Sequence, residues 1–524
     1  MIGRLAAAAL SAICAPRARA FERALDDPVR AQRATLARIL RVSAASALGR
    51  SLGLATQDDP AAFRAKVPLM DYRDLAPWIE RQRAGERDAI VVAPVVCYEK
   101  TSGSSSAIKR IPYTGELIAS FRSLFRLWAH DLLRHRLRPQ SARLFMSVSP
   151  RPREAAAGGA SVGLEHDAEY LGAGLRALIA RFLVVAPGTR LPQAPDDLRD
   201  VLSCLLAAEE SLEILSVWSP TYLLVLLEHF AAHRDTLLPA LRMGRIERGT
   251  TYRFPPLGAA RLALLAHDPI DWQCVWPDLQ LLSCWASAAS TAPARRLHGL
   301  LPRVFLQPKG LLATEAPVSV PWTAAKGCVP LVDEVLLEFL DGARARWLHE
   351  LEDGAEYEVL VSQCGGLLRY RLGDRVRVSG RYRGVPLLEF LGRDDAVSDL
   401  VGEKLHEDFI AAQLDALGCG ERLALLLPMA DGAPHYRLLI EGEQTPDALA
   451  FDTALQGAYH YRIARQLGQL EAARTQAVPE LGARVHRFFI ERGQAAGDIK
   501  DRRLVTSAEL ASALYRALAQ AVDA

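Results

Sequence analysis

Apolar residues recur at helical spacing over 27–48, with Asp27 placed to cap the helix and Pro28 at its first turn. The next apolar runs, Ala89-Ile90-Val91-Val92-Ala93 and Val95-Val96-Cys97-Tyr98, are rich in β-branched residues and predict strands. After a serine-rich stretch, Thr114 is placed to cap a helix whose Leu117, Phe121, Leu124, Phe125, Trp128 and Leu132 form one apolar stripe. A second strand-to-helix step is predicted from 212–218 into a helix with Ser219 as cap and Pro220 at the first position. Runs at 279–284, 303–306, 335–340, 357–361 and 387–391 predict further strands, several continuously apolar as in strands buried on both faces. Beyond Gly392-Arg393-Asp394-Asp395 the pattern changes. It predicts a helix near 403–417, strands at 423–427 and 436–440, a helix near 447–467 and a strand at 485–490. A closing helix follows, with a capping box at Thr506-Ser507-Ala508-Glu509.

This order reads as an α/β protein with a large layered N-terminal α/β domain and a small C-terminal α+β domain. A chain of 524 residues exceeds what one hydrophobic core holds. The expected boundaries are 1–392, a hinge at 393–395 and 396–524. The formal charge of +2 supplies no global field toward nucleic acid or anionic lipid, so a small-molecule partner is expected, with no nucleic acid and no membrane. Eight cysteines lie far apart, without zinc spacing, and read as buried reduced thiols of a cytoplasmic protein, which is expected to be a monomer. Residues 1–20 imitate a secretory signal. Their apolar run is mostly alanine, however, and Arg17 and Arg19 stand just before the would-be cleavage site, so a helix is expected.

The candidate chemistry begins at Thr101-Ser102-Gly103-Ser104-Ser105-Ser106-Ala107-Ile108-Lys109. Backbone N–H groups and hydroxyls around a glycine can wrap an anion, and a closing lysine adds a point charge. It is not a Walker loop, and by composition alone it reads as a solvated linker more often than as a phosphate loop, while its place after an apolar strand and before a capped helix favours the phosphate reading. Thr314-Glu315 reads either as a helix start or as a metal-holding carboxylate beside a hydroxyl, and Tyr370-Arg371-Leu372-Gly373-Asp374 as a hairpin turn or a diol-binding carboxylate. There is no Gly-x-Ser-x-Gly elbow and no His-Glu-x-x-His.

Taken together, the 101–109 loop and its continuation to Thr114, Lys66-Val67-Pro68-Leu69, Val217-Trp218-Ser219-Pro220, Leu312-Ala313-Thr314-Glu315, the 370–374 segment, Gly392-Arg393, Gly402-Glu403-Lys404 and Lys500-Asp501-Arg502-Arg503-Leu504 form an ordered series. It resembles the acyl-adenylate-forming superfamily, in the branch of acyl acid amido synthetases called the Gretchen Hagen three, or auxin-responsive promoter, family in its bacterial form. The resemblance covers nearly the whole chain.

It implies ATP and Mg²⁺ as cofactors, a large adenylation domain and a small mobile C-terminal domain. In nucleotide binding it places Thr101, Ser102, Gly103, Ser104, Ser105, Lys109, Ala289, Ser290, Thr314, Glu315, Tyr370, Asp374, Arg393 and Lys404. Glu315 would hold Mg²⁺, Asp374 the ribose diol, and Lys500 would be the catalytic cation of the small domain. Asp394 and Asp395 would form the hinge, and Ser149, Leu164 and Trp218 would line the acid pocket. The chain departs from the family pattern at Leu312, where an aromatic is common, at Ala288-Ala289-Ser290, where glycines are common, and at Ala316. Each bears on nucleotide fit. The expected activity is acyl-AMP formation from a carboxylic acid followed by transfer to an amine, typically of an amino acid. Thioester formation with coenzyme A or a carrier protein, and a nucleotide-binding scaffold without turnover, are the alternatives.

Overall fold

The computed structural model describes residues 2–100, 109–146, 154–155, 161–162, 179–192, 194–393 and 397–520. The chain divides into two compact units. One is formed by Met1–Ala142, Arg151–Arg181 and Lys309–Asp394, the other by Arg143–Pro150, Phe182–Pro308 and Asp395–Ala524.

In the first unit the N-terminal segment is the helix Ile2–Asp26, which buries Cys14, Ala18, Phe21 and Leu25 along one face. Its Arg17 pairs with Asp333 at 2.8 Å and Glu334 at 3.0 Å. Asp27 caps the next helix, Pro28–Ser43, by accepting from the Arg30 N–H. That helix stops short of residue 48 because the Ser46 hydroxyl accepts from Gly49 N–H and starts a separate turn, Ala47–Ser51. Residues 89–93 are not a strand. Their polar backbone is satisfied by the Gln82 amide, which accepts from the N–H groups of Ile90 and Val91 and donates to the Val91 carbonyl. A run of Ile and Val buried in a loop therefore imitates a strand.

The helix Gly115–His135 is capped by Thr114 as expected. It lies in the unit that holds a five-stranded antiparallel sheet, ordered Arg344–Trp347, Leu336–Asp341, Glu356–Ser362, Tyr370–Tyr382, Val385–Arg393. One buried ion pair fixes the entry to the fourth strand. Arg369 meets Glu338 at 3.0 Å, with side chains 7% and 1% exposed, and donates to the Val67 carbonyl at 2.8 Å. With the guanidinium satisfied on both sides, removing either partner would strand a buried charge.

The second unit contains a parallel sheet ordered Phe305–Pro308, Leu281–Cys284, Leu212–Ser216, Arg143–Met146. Helices Pro195–Ala208, Pro220–Ala232 and Thr291–Leu300 belong to the same unit, and the layered α/β class is evident. Residues 397–520 add a three-stranded mixed sheet of Ala424–Met429, His435–Glu441 and Arg474–Val478. The last of these strands is polar and partly exposed, which hides it from a hydrophobicity pattern.

Residues 485–490 belong to a helix, Leu481–Glu491, in which Leu481, Phe488 and Phe489 are buried one helical face apart. A six-residue window is too short to separate that period from a strand. The expected 447–467 helix is two, Ala448–Leu455 and Tyr459–Gln466, separated around Gly457. Near 403–417 the helix is confined to Glu407–Ala416. Before the closing helix Ala508–Gln520, the hydroxyl that accepts a backbone N–H belongs to Ser507, one residue beyond the expected cap. Among the described residues no helix is long and apolar enough to cross a membrane.

His486, 3% exposed, is held neutral: burial first and the Arg199 charge second push its pKa down to about 3. The unfolded chain therefore protonates this residue first, so its contribution to stability is present above ~6.5 and is lost as pH falls toward the folded value. Between pH 6.5 and 5 the loss amounts to about 2 kcal/mol. Urea unfolding at the two pH values should show the wild type losing about that much more than His486→Gln; equal losses would remove His486 from the acid response.

Candidate active site

In the first unit, Thr314 and Glu315 occupy the tip of a tight hairpin. Ala313 and Ala316 exchange both backbone hydrogen bonds across it, at 3.1 and 3.2 Å, and Leu312 bridges Pro317. This replaces the helix-start reading of the pair. Two side chains hold the tip through its carbonyls: Tyr113 donates to Thr314 at 2.7 Å and Gln363 to Glu315 at 3.1 Å. Because both clamps use the backbone, the Glu315 carboxylate is left for other work, and the residue is 9% exposed. Tyr113 lies in the continuation of the 101–109 loop to Thr114 but was not singled out there, and Gln363 carries no motif; their role exists only once the hairpin is folded against them.

Tyr370 begins the long strand Tyr370–Tyr382, which is hooked to the N-terminal segment. Met70 N–H donates to the Arg369 carbonyl at 3.1 Å, and Arg371 N–H to the Met70 carbonyl at 2.9 Å. Burial pushes the Tyr370 phenol pKa far above its ordinary value. The Glu315 charge raises it further and Arg393 opposes, so the hydroxyl stays protonated beside both groups.

Asp374 lies not in a hairpin turn but within this strand, where the register slips. Arg371 pairs with Leu360 and Arg375 with Glu358, so extra residues bulge out around Gly373. Gly373 has φ +75, a conformation that disfavours side chains. The bulge sets Asp374, 6% exposed, opposite Arg393 in the ladder, with Arg393 Nε 3.6 Å from Asp374 Oδ1. Arg393 also donates to the Leu372 carbonyl at 2.9 Å. The structure thus brings Glu315, Tyr370, Asp374 and Arg393 together. Lys109, half-buried, precedes Arg110, whose N–H donates to Tyr72 at 2.8 Å. Thr101, Ser102, Gly103, Ser104 and Ser105 lie outside the described residues, as do Ser149, Leu164, Asp394 and Asp395.

In the second unit, Ala289 and Ser290 form a 3₁₀ turn, Ala288–Ser290, at the foot of the helix Thr291–Leu300. Trp218 pairs with Trp285, ring centroids 5.9 Å apart. Lys500 is exposed, and its neighbour Asp501 accepts from Ser290 at 2.8 Å and Ser219 at 3.2 Å. Lys404 is exposed too, held in a left-handed conformation, φ +46, at the end of a loop. The buried Glu403 ties that loop by accepting from the N–H groups of Leu400 and Val401. Asp501 was absent from the sequence-derived site, since its partners are remote in the chain and a lysine followed by aspartate has no distinctive spacing.

Among the described residues no three acidic, histidine or cysteine side chains converge on a point where they could hold a metal unaided. That donor set does not suit a calcium or zinc cage. It does suit magnesium, which keeps most of its waters and is commonly held by one or two carboxylates together with substrate phosphates.

The model for the GH3 family N-terminal domain matches residues 17–304, more than half of the chain, and the GH3 family central domain matches 331–393. A rice relative named probable indole-3-acetic acid-amido synthetase GH3.12 is 24% identical over 481 residues, covering 80% of this chain and 77% of that protein. The jasmonoyl–L-amino acid synthetase JAR4 of Nicotiana attenuata is 23% identical over 433 residues, covering 76% and 74%. Among solved structures, GH3.15 acyl acid amido synthetase superposes with a TM-score of 0.81 at 20% identity, over 95% of both chains. The 2-hydroxyisobutyryl-CoA ligase superposes at 0.52 and 16% identity, over 98% of this chain and 91% of that one. These likenesses establish the fold of adenylate-forming ligases, and on the family match the chain belongs to the GH3 family.

Proposed function

We propose that the chain is an AMP-forming acid–amino-acid ligase. ATP and a carboxylic acid give acyl-AMP and pyrophosphate, and an amine, in the first instance of an amino acid, then attacks the mixed anhydride and releases AMP. The observation that carries this reading is the family match over 17–304, with relatives named as an indole-3-acetic acid-amido synthetase and a jasmonoyl–L-amino acid synthetase.

The residues divide the work by chemistry. The hydroxyl-rich 101–109 loop with Lys109 suits the β- and γ-phosphates, and Asp374 can accept both ribose hydroxyl protons while Arg393 holds its position. Tyr370, kept as a phenol, can donate to an anionic oxygen. Glu315 would hold magnesium, which when bound supplies neutralisation of charge on the phosphates. Lys500 would bridge the carboxylate oxygen and the α-phosphate as negative charge accumulates. Ala289, Ser290, Thr314 and Lys404 complete the nucleotide set, and Ser149, Leu164 and Trp218 the acid pocket.

The small domain, 396–524, is taken to turn about 393–395 between half-reactions, because pyrophosphate must leave and the amine must enter a site first closed to water. Proline at Asp395 should therefore slow amide formation more than ATP–pyrophosphate exchange, and equal losses would remove the hinge. The enzyme is expected to act as a cytoplasmic monomer on small molecules, with no nucleic acid or membrane partner.

The deciding experiment is ATP–pyrophosphate exchange across a panel of carboxylic acids, followed by mass spectrometry of products with amino acids or coenzyme A. Acid-dependent exchange with amide products supports the reading. Thioester products make it a coenzyme A ligase, and absence of exchange with any acid makes it a binding protein.

A further inference from the structure

Lys500 stands between two anchors in one short segment. Behind it, Leu504 N–H donates to Glu407 at 3.1 Å, Leu426 N–H donates to the Arg503 carbonyl at 2.8 Å, and Val505 N–H donates to the Leu426 carbonyl at 2.9 Å. Residues 503–505 are thereby joined to the strand Ala424–Met429. The Arg503 guanidinium donates to the Arg422 carbonyl at 2.9 Å, and that of Arg502 lies over the Phe489 ring, 4.7 Å from its centroid. On the other side Ile499 is 2% exposed. Between these fixed points the Asp501 carboxylate reaches across to the 182–308 part of the unit, with Ser219 donating to Oδ1 at 3.2 Å and Ser290 to Oδ2 at 2.8 Å.

The two serines are not incidental surface hydroxyls. Ser219 is fully buried and caps the helix Pro220–Ala232, and Ser290, 6% exposed, directly precedes the helix Thr291–Leu300. The carboxylate is thus held by hydroxyls at the N-terminal ends of two helices, whose dipoles favour negative charge there. Burial, the largest influence, raises the Asp501 carboxyl above its ordinary value, and the hydroxyls of Thr221, Ser290 and Ser219 and the Arg502 cation oppose that rise.

We infer that Asp501 is a positioning residue for acyl-AMP formation: its clasp on Ser219 and Ser290 fixes the backbone of the 499–502 segment and so places the ammonium of Lys500. This rests on the adenylation reading and deepens it, because the Ser290 hydroxyl that the family resemblance gives to nucleotide serves in this structure as the seat for the catalytic lysine's neighbour. The clasp joins the 182–308 part of the unit to its 395–524 part, so a domain rotation between half-reactions must break it, and Asp501 belongs to the adenylating arrangement alone.

The test uses the full chain with Asp501→Ala, the isosteric Asp501→Asn, and Ser219→Ala, which removes one hydroxyl of the clasp and leaves Ser290 of the nucleotide set in place. With an acid that the wild type activates, Asp501→Ala should lower exchange turnover tenfold or more with the ATP KM within twofold. Asp501→Asn and Ser219→Ala should each lose less than Asp501→Ala, in the same direction. Aminolysis of supplied acyl-AMP should stay within twofold of wild type. Hydrogen exchange followed by mass spectrometry, without substrates, should show 499–502 exchanging faster in Asp501→Ala while 407–416 is unchanged.

Unchanged turnover, equal loss in both half-reactions, or unaltered hydrogen exchange over 499–502 would overturn the positioning role while leaving the ligase reading intact. A wild type without acid-dependent exchange would overturn both.

Discussion

Lys500→Ala is expected to slow acyl-AMP formation by about a hundredfold or more while leaving ATP binding near normal. A preorganised charge aimed at oxygens that become more negative in the transition state contributes on the order of 3–4 kcal/mol, and almost none of it is realised in the ground state. The side chain is exposed, so its removal should shift stability by no more than about 0.5 kcal/mol, and a loss of rate cannot be ascribed to unfolding. Lys500→Arg should recover little, since a planar fork on a different stem does not replace a compact ammonium. ATP–pyrophosphate exchange measures the step directly, and an undiminished rate would take Lys500 out of the mechanism. Because the clasp at Asp501 acts through this lysine, the two variants combined should be little worse than Lys500→Ala alone.

Glu315→Gln should raise the magnesium concentration needed for half-maximal exchange at least tenfold and lower the maximal rate by about a hundredfold, the scale of one lost transition-state electrostatic contact. The hairpin itself should survive. Tyr113 and Gln363 hold it by the carbonyls of Thr314 and Glu315, and those bonds do not involve the carboxylate. Thermal unfolding should therefore move little. A variant with the wild-type magnesium profile would show that the ion is held elsewhere.

These two residues illustrate how far a sequence reading extends. Both were found by motif, and the structure supplies what makes each usable. For Glu315 that is a hairpin tip clamped from outside, and for Lys500 a segment pinned on both sides. Readings from local chemistry alone fared according to reach. Helix caps at Asp27, Thr114 and Ser219 were legible because donor and acceptor are three residues apart. The strand expected at 89–93 and the one expected at 485–490 were not, because composition over five or six residues does not say whether a partner strand, a glutamine side chain or the next helical turn will take up the backbone groups.

What the sequence determined by itself is therefore the layered α/β class and the family, and it nominated the residues whose charge and hydroxyls the proposed chemistry needs: Lys109, Thr314, Glu315, Asp374, Arg393 and Lys500. Those follow from short-range periodicity and from an ordered series of motifs, which survive any uncertainty about folding. Only the tertiary structure decided how they are presented. Asp374 reaches Arg393 because a bulge at Gly373 sets the register. Tyr370 is fixed by a buried Arg369–Glu338 pair 31 residues apart, and Asp501 meets a serine 211 residues earlier in the chain. Bonds of that span depend on the closure of loops and the register of whole sheets, quantities to which hundreds of residues contribute and which no local window contains.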